Sequence, residues 1–531
     1  MRQIEVKRKQ IEYLAKAFEI VLFLMIKKKL GLEGSGFFLI PLMIFVMLWT
    51  FVGECLPDSL SRLIRVRRNK GQYKSIKKIR WHALLCQFVT GAVGSLIMLT
   101  LGSYLGEKVF GCPYCGPMIW ILSPLLFLRG FSSLLCGYCE GEGFELPAVV
   151  ACILRLIAIY VFGTVLGSVA GEYGKKVSAL LKGERYTAIY EGQGWCVAML
   201  MAELLVILVL FVFFLSMGRR KKKDDFEAVK DTASLRGYIS ATVGNTIFQA
   251  LAIFLEIFPV GIGMIIFYHR TGDTAPMTYG TFFVGYMSIC LIIARLIAAV
   301  SVPFWTKVSN YFRQDEVRLG RVCFQSGMRL VIALSMILCV GVASMASQVG
   351  ALAGFTSPNL VKVVVQGSAL IPFMALEFYF SRMLMRFKKH VLSIGLGIVT
   401  DILFVMVFSM MWSDEKVGLL ALTYAGMIAV GVYAVLLGAF TQQMVGGKMY
   451  WLKTVILPVG LAVAVGILQA LCVKFLGEHL ESLYVVLAVG IVGFISYWCA
   501  LVCLHNFNEE ELSIMPFGNV IMSLGKMLGV Y

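Results

Sequence analysis

The sequence GWCVAMLMAELLVILVLFVFFLSMGRRKKK, which occupies residues 194–223, decides the fold class. Its first 24 residues contain one charged side chain, Glu203, and five basic residues follow at Arg219–Lys223. About 20 mostly apolar residues are enough for a helix to cross a bilayer, and basic clusters beside such helices mark the cytoplasmic side. The stretch therefore predicts a transmembrane helix that ends in the cytoplasm.

The whole chain has a similar composition. Of its 531 residues, 59% are hydrophobic and 15% are charged, and the mean hydropathy is +0.83. Soluble globular chains are about 45–50% apolar and about 25% charged. This balance excludes a water-soluble enzyme, a disordered protein and a nucleic-acid-binding domain. The net charge of +17 then indicates basic cytoplasmic loops, not a nucleic-acid partner.

Long apolar runs separated by short polar breaks predict an all-α polytopic membrane protein with about fourteen transmembrane helices. Most Lys and Arg residues between these spans fall on the side of the Arg219–Lys223 cluster, which places both termini in the cytoplasm. The predicted spans lie near residues 11–30, 37–57, 82–106, 116–136, 146–170, 194–217, 239–266, 278–304, 322–349, 362–381, 391–412, 417–441, 451–473 and 482–505.

A basic loop is predicted once in each half of the chain, at Ser61–Leu85 and at Thr306–Met328, on either side of the Arg219–Lys223 cluster, and each has a second basic cluster that enters the next helix. Parallel repeats of this kind are found in many transporters. We therefore predict two pseudo-symmetric six-helix bundles plus two C-terminal helices. The predicted domains are an N-terminal lobe at 1–217, a basic cytoplasmic linker at 218–238, a C-terminal lobe at 239–445, and two additional helices with a cytoplasmic tail at 446–531.

Several short motifs, in this order along the chain, resemble the bacterial polysaccharide flippases. LGLEGSGFFLIPLMIF (Leu30–Phe45) resembles the family pattern between spans 1 and 2. FLRGFSSL (Phe127–Leu134) and ELPAVV (Glu145–Val150) resemble the family's sequence from span 4 to the start of span 5. VPFWTKVSNYFRQDE (Val302–Glu316) resembles the end of span 8, and FNEEELSIMPFGNVIMSLGKMLG (Phe507–Gly529) resembles the C-terminal tail.

On these motifs the chain is similar to the stage V sporulation protein B-like polysaccharide biosynthesis family. That family belongs to the multidrug/oligosaccharidyl-lipid/polysaccharide (MOP) exporter superfamily. The resemblance implies a multi-pass flippase of the bacterial cytoplasmic membrane, not an enzyme, with two six-helix bundles around a central cavity. It implies a polyprenyl-diphosphate-linked saccharide as cargo, moved from the inner to the outer leaflet by alternating access. We expect membrane lipids around a monomer, with no cofactor and no nucleic-acid partner.

The chain departs from the family pattern in three respects. Cys136–Glu145 is an insertion where relatives have a shorter turn, and Arg155 stands at about the place of a common Glu. The lipid II flippases of the same superfamily carry arginines in the middle of spans 1 and 2. Here Glu19 and Leu22 stand in span 1, and span 2 is apolar up to Glu54. The absence of arginines from the middle of spans 1 and 2 argues against lipid II as the cargo.

Two arginines, Arg155 in span 5 and Arg295 in span 8, are the predicted ligands of the cargo's diphosphate. Charged groups inside a span are costly and usually face a cavity or a partner, and a guanidinium binds phosphate oxygens bidentately. The alternative is a structural salt bridge within each bundle. We expect Arg329, in span 9, to be structural. The Lys27, Lys28 and Lys29 side chains form either an outer anion-release site or a charge cluster that complements a helix C-terminus.

Three acidic residues inside spans are candidates for coupling transport to H⁺ or Na⁺: Glu256, Glu377 and Asp401. The alternative is that they neutralise nearby arginines. A cation-coupled multidrug exporter of the same superfamily is the alternative function. A membrane glycosyltransferase or ligase is disfavoured because the longest outer segment, near Gly171–Gln193, lacks a paired-carboxylate motif.

Two Cys-x-x-Cys pairs, Cys112/Cys115 and Cys136/Cys139, lie on either side of predicted span 4. The roughly 20 helical residues between them correspond to about 30 Å, so the pairs are expected on opposite membrane faces. They would therefore not share a tetrahedral zinc site, and we predict no metal site. The outer pair is a candidate disulfide because the exterior is oxidising.

Overall fold

The computed structural model describes residues 2–183, 185–220, 235–353, 357–412, 415–447, 449–477, 479, 481–508, 511–512, 515, 518–527 and 530. Most of the predicted linker at 218–238 lies outside these residues. Every regular element in the described ranges is a helix. The α-helices are α1 Arg2–Trp49, α2 Leu56–Asn69, α3 Tyr73–Tyr104, α4 Gly116–Gly141, α5 Leu146–Leu181, α6 Arg185–Arg220, α7 Leu235–Thr271, α8 Ala275–Phe282, α9 Ser288–Arg313, α10 Val317–Ser344, α11 Ala346–Ala353, α12 Pro358–Gly367, α13 Leu370–Arg386, α14 His390–Met411, α15 Glu415–Val445, α16 Leu457–Leu476, α17 Ser482–Cys503 and α18 Gly518–Met527.

Within the described residues, 11 helical stretches are long and apolar enough to cross a membrane, or 12 if the bent pair α12–α13 counts as one span. The prediction of an all-α polytopic membrane protein is confirmed, and the predicted count of fourteen is approximate. The 68-residue stretch Thr246–Arg313 contains the predicted span 278–304 and most of the predicted span 239–266. The predicted first span, near 11–30, is not among these stretches because charged residues interrupt it.

Helix α1 changes direction at Gly31, where φ is 70° and ψ is −177°. A positive φ is readily adopted only by glycine, so this residue separates the first predicted span from the second within one continuous helical segment. The structure extends the second predicted span through a π-helical turn at Thr50–Glu54 and into α2.

The basic segment predicted as a loop between spans 2 and 3 is helical. Leu60 and Ile64 in α2, and Ile76 and Ile79 at the start of α3, form a buried cluster with Tyr138 of α4. Their spacing of three or four residues places them on one helix face. Burial of that face stabilises the two helices and leaves their Arg and Lys side chains on the other faces.

The chain forms two compact units, Leu22–Thr281 (the first unit) and Met1–Val21 with Phe282–Tyr531 (the second unit). The predicted lobes divide instead at residues 217–239, so the two divisions differ in the place of Met1–Val21 and of α7. In the structure α7 packs within the first unit, because the Thr246 hydroxyl donates to Ser59 Oγ at 3.1 Å and the Tyr268 hydroxyl donates to the Gly36 carbonyl at 2.9 Å. The lobe boundaries stay a prediction.

The pairing of α5 with α6 in the first unit depends on two glycines. The Trp195 side chain of α6 is fully buried and lies against Gly163 and Gly167 of α5. A Cβ atom at Gly163 would overlap the indole ring. The absence of side chains at these positions therefore allows the helices to approach closely, which brings Arg155 of α5 next to α6.

Candidate functional site

Arg155 is bound to an acidic residue of the neighbouring helix. Its Nε donates to Glu203 Oε2 at 2.8 Å, and its Nη2 donates to Glu203 Oε1 at 3.0 Å and to Ser132 Oγ at 3.3 Å. The Ser132 hydroxyl also donates to Glu203 Oε1, and the Glu203 side chain is 1% exposed. This bidentate, charge-assisted arrangement favours the structural alternative for Arg155. Its contact with cargo stays a prediction.

Arg295 has a different environment. Its guanidinium carbon lies 4.5 Å from the centroid of the Phe378 ring, across the interface of α9 and α13 in the second unit. No hydrogen bond or ion pair to Arg295 is formed by the part of the chain that the structure describes. A cation–π contact holds the guanidinium in place and contributes about 0.5–2 kcal/mol, but it does not neutralise the charge. The N–H groups of Arg295 therefore remain available to an anion.

A second cation–aromatic group, which no sequence pattern indicates, lies further along the same interface. The Arg386 guanidinium carbon is 5.0 Å and the Lys9 ammonium 5.4 Å from the ring centroid of the buried Trp305. Trp305 follows Arg295 by ten residues in α9, which corresponds to about 15 Å along a helix. We call Arg295, Arg386 and Lys9 the cation row. Trp305 and Lys9 are far apart in sequence, so only the folded chain reveals the group.

The lysines of α1 are only partly described. Lys27 is half-buried, whereas the side chains of Lys28 and Lys29 lie outside the described residues. Just beyond the break in α1 at Gly31, Arg185 Nε lies 2.9 Å from Glu33 Oε1, and Arg185 Nη1 lies 4.0 Å from Asp273 Oδ1. This mixed-charge group belongs to the first unit. The anion-release role of the three lysines stays a prediction.

The three candidate coupling acids lie in different environments. Glu256 of α7 is half-buried, and Glu377 of α13 is buried beside Phe378. Asp401 of α14 is 5% exposed and lies on the face with Thr400 and Phe404. Among the described residues Asp401 has no hydrogen-bond or ion-pair partner, and its Oδ2 is buried. Burial of a carboxylate without a partner costs free energy. Uptake of a proton or a cation removes this cost, so Asp401 is suited to such uptake.

The two Cys-x-x-Cys pairs lie at opposite ends of α4. Cys112 and Cys115 precede the helix, and Cys136 and Cys139 lie in its last turns. The predicted insertion that begins at Cys136 is thus largely helical, because α4 continues to Gly141. Within the described ranges, no group of three or more His, Cys, Asp or Glu residues has an arrangement that could hold a metal ion.

These helices define a multi-pass membrane protein, and comparison with solved structures identifies its fold. No family model matches the chain, and no curated protein matches it in sequence. The structure is similar to an inward-facing multidrug resistance MATE family transporter of the MOP superfamily, with a TM-score of 0.62 and 13% identity over 83% of this chain and 98% of that chain.

Two further structures support the same fold. One is a MOP superfamily transporter from Pyrococcus furiosus described with a binding pocket of reverse polarity (TM-score 0.59, 14% identity, 84% of this chain and 98% of that chain). The other is the eukaryotic MATE transporter AtDTX14 (TM-score 0.58, 16% identity, 86% and 99%). The chain therefore has the fold of MOP superfamily transporters, which agrees with the resemblance of its motifs. The stage V sporulation protein B-like subfamily stays a prediction.

Proposed function

We propose that the protein is a MOP-type membrane flippase that moves a polyprenyl-diphosphate-linked saccharide from the inner to the outer leaflet by alternating access. The fold supports an exporter, and the motifs favour a lipid-linked saccharide. The observation that carries the proposal is Arg295, an arginine within a candidate span that no described acidic group neutralises. In this proposal the protein is a transporter and catalyses no covalent step.

The charge of Arg295 suits a diphosphate. A diphosphate that leaves water for a membrane interior loses hydration that must be replaced by fixed positive charge. Hydrogen bonds to charged groups contribute about 1.5–3 kcal/mol each, and a guanidinium provides two to one phosphate group. Phe378 holds the guanidinium without consuming its charge. Arg155 is less suited to this role because Glu203 already accepts hydrogen bonds from its Nε and Nη2.

The cation row provides a path to Arg295. In the predicted orientation α9 ends in the cytoplasm, so Trp305 with Lys9 and Arg386 lies between the cytoplasmic end and Arg295. The head group would meet these two cations first and Arg295 about 15 Å deeper. Electrostatic attraction along such a row raises the local concentration of an anionic ligand.

The test is a flipping assay with a fluorescent polyprenyl-diphosphate saccharide in proteoliposomes. We expect Arg295→Ala to lower the flipping rate at least tenfold and Arg295→Lys to retain an intermediate rate, because an ammonium keeps the charge but not the bidentate geometry. Arg313→Ala is the matched control, since it removes an exposed arginine from the end of the same helix. A normal rate for a folded Arg295→Ala variant contradicts the proposal.

Asp401 supports a second candidate, the cation-coupled multidrug exporter. A buried carboxylate without a partner is suited to exchange of a proton or a sodium ion during transport. In this case Asp401→Asn abolishes drug resistance in a host that lacks its own exporters, while Arg295→Ala leaves it intact. Loss of flipping in Arg295→Ala, together with normal flipping in Asp401→Asn, supports the flippase.

A further inference from the structure

The Cys112/Cys115 pair has a geometry that the proposed transport cycle does not use. The two Sγ atoms lie 3.0 Å apart, around a short 3-10 turn at Pro113–Cys115. Both cysteines are buried, but Gly111, Pro113 and Tyr114 are exposed. The pair therefore lies just beneath the surface of the first unit. A disulfide bond is about 2.05 Å long, so bond formation requires a sulfur displacement of only about 1 Å.

The two thiols differ in their surroundings. The side-chain hydrogen bond with Cys115 holds the pKa of the Cys112 thiol below its usual value, although burial acts in the opposite direction. Backbone hydrogen bonds from Tyr114 and Cys115 and the positive charge of Arg185 also lower this pKa. The thiolate is the reactive form of a cysteine. These contacts make Cys112 the nucleophile and Cys115 the resolving cysteine of the pair.

Cys115 also connects the turn to α1. While Cys112 is protonated, the single S–H of Cys115 donates to the Phe37 carbonyl at 3.4 Å, and it donates to Cys112 Sγ instead when Cys112 is a thiolate. The Tyr114 ring packs edge-on against the Phe37 ring at 5.9 Å. Phe37 lies six residues beyond Gly31, where α1 changes direction. A disulfide has no S–H group, so oxidation of the pair removes this hydrogen bond from α1.

We propose that Cys112 and Cys115 are a reversible dithiol–disulfide site on the outer face, oxidised by external disulfide compounds, and that oxidation loosens α1 at Phe37. The Cys112 thiolate attacks one sulfur of an external disulfide R–S–S–R, forms a mixed disulfide and releases one thiolate RS⁻. The Cys115 thiol then loses its proton and attacks Cys112 Sγ, which releases the second RS⁻. Two protein thiols are oxidised and one external disulfide is reduced to two thiols.

The outer position rests on the orientation in the proposed function, but the chemistry does not depend on the cargo. An oxidising exterior preserves disulfides, whereas the cytoplasm keeps thiols reduced. The state of the pair is measured directly on the protein. A negative result in the flipping assay therefore does not contradict the dithiol–disulfide proposal. A Cys112/Cys115 pair that stays reduced likewise does not contradict the proposed flippase function.

The test uses the full-length protein in proteoliposomes, treated with oxidised glutathione, blocked with N-ethylmaleimide and digested for mass spectrometry. In the wild type we expect the peptide with Cys112 and Cys115 to lose two hydrogens, and dithiothreitol to reverse the change. Cys136/Cys139 is the internal reference because it has the same spacing at the other end of α4. A Cys112/Cys115 pair that stays reduced in folded protein overturns the proposal. Oxidation only after the inner face is exposed overturns its outer position.

Two variants test the roles of the cysteines. Cys115→Ala lacks the resolving thiol, so Cys112 should retain glutathione as a stable mixed disulfide. Cys112→Ala should capture glutathione on Cys115 several-fold more slowly, because Cys115 lacks the contacts that favour the thiolate at Cys112 and the thiolate is the reactive form. Equal capture by Cys115→Ser, which keeps a hydroxyl donor beside Cys112, and by Cys112→Ala overturns the assignment of Cys112 as the nucleophile. Where Cys115→Ala folds poorly, Cys115→Ser replaces it and retains a hydroxyl donor toward Phe37.

Hydrogen–deuterium exchange tests the effect on α1. Oxidation should accelerate amide exchange in residues 32–40 of the wild type several-fold, because the Cys115 hydrogen bond to Phe37 is lost. Cys112→Ala, treated with the same reagent only for a time in which mass spectrometry detects no glutathione on Cys115, should show unchanged exchange, because its Cys115 thiol still donates to Phe37. Unchanged exchange in a fully oxidised wild type overturns the link to α1.

Discussion

Glu511 places both of its carboxylate oxygens 2.8 Å from one nitrogen, Nη1, of Arg329. The same nitrogen donates to the Asn506 carbonyl at 3.4 Å, and Arg329 Nε donates to the Thr454 hydroxyl at 3.3 Å. Both charged side chains are less than a tenth exposed. Arg329 in α10 therefore anchors the segment after α17 to the bundle, which is the structural role expected for it.

Removal of the Glu511 carboxylate should destabilise the second unit strongly. Glu511→Ala leaves a buried guanidinium without its counter-charge, and the loss of one partner of a buried ion pair costs about 3–5 kcal/mol. The double variant Arg329→Met/Glu511→Leu removes both charges and should recover most of the loss. Thermal unfolding in detergent measures the difference. A Glu511→Ala variant as stable as the wild type contradicts the anchoring role.

The Arg155–Glu203 pair in the first unit should behave in the same way, and its variants also address cargo binding. Glu203→Ala should lower stability by about 3–5 kcal/mol, because Arg155 then lacks its partner. The double variant Arg155→Met/Glu203→Leu should fold and flip cargo at a nearly normal rate, since the pair is structural. If this double variant is stable but flips at least tenfold more slowly, Arg155 contacts the cargo after all.

The apolar runs of the sequence were sufficient to predict the membrane fold, because the bilayer requires long apolar helices whatever their packing. The ends of elements were harder to predict. The basic segment after span 2 is helical because Leu60, Ile64, Ile76 and Ile79 form one buried face, a short pattern within a highly charged sequence. The two predicted spans in Thr246–Arg313 are continuous in the structure because only a three-residue 3-10 turn, Gly272–Thr274, separates their helices.

The partners of the charged side chains inside the spans were not predictable from the sequence. Arg155 and Arg295 are equivalent in sequence, since each is a single arginine in an apolar run. Their surroundings differ because Arg155 contacts an acidic residue, Glu203, and Arg295 contacts an aromatic residue, Phe378. Each partner lies on another helix, and Glu203 is 48 residues from Arg155 along the chain. Such contacts depend on how helices pack. The sequence therefore predicts which charges lie in the membrane but not which of them are neutralised.

The approach of α5 to α6 should not tolerate a side chain at Gly163. Gly163→Ala places a methyl group in the indole ring of Trp195, and overpacking of this kind costs about 1–3 kcal/mol. Gly395→Ala in α14 is the matched control, because a Cβ there meets no atom within 4 Å and alanine favours a helix. Thermal unfolding of both variants measures the effect. Replacement of Trp195 by a smaller residue should restore part of the stability that Gly163→Ala loses. Equal stability of Gly163→Ala and Gly395→Ala contradicts the close packing of Gly163 against Trp195.

The reactivity of Cys112 should depend on pH in a direction fixed by its neighbours. The hydrogen bond with Cys115 and the charge of Arg185 lower the Cys112 pKa, so a larger fraction is thiolate at a given pH than in an ordinary cysteine. Alkylation should rise with pH and reach half its maximum below the usual thiol midpoint of about 8.5. Arg185→Gln removes one stabilising charge and should move the midpoint to higher pH, and Cys115→Ala should do the same. Quantitative mass spectrometry of the Cys112 peptide after brief iodoacetamide pulses measures the midpoints of alkylation. If the wild type has the usual thiol midpoint and neither substitution changes it, Cys112 is not an activated thiol.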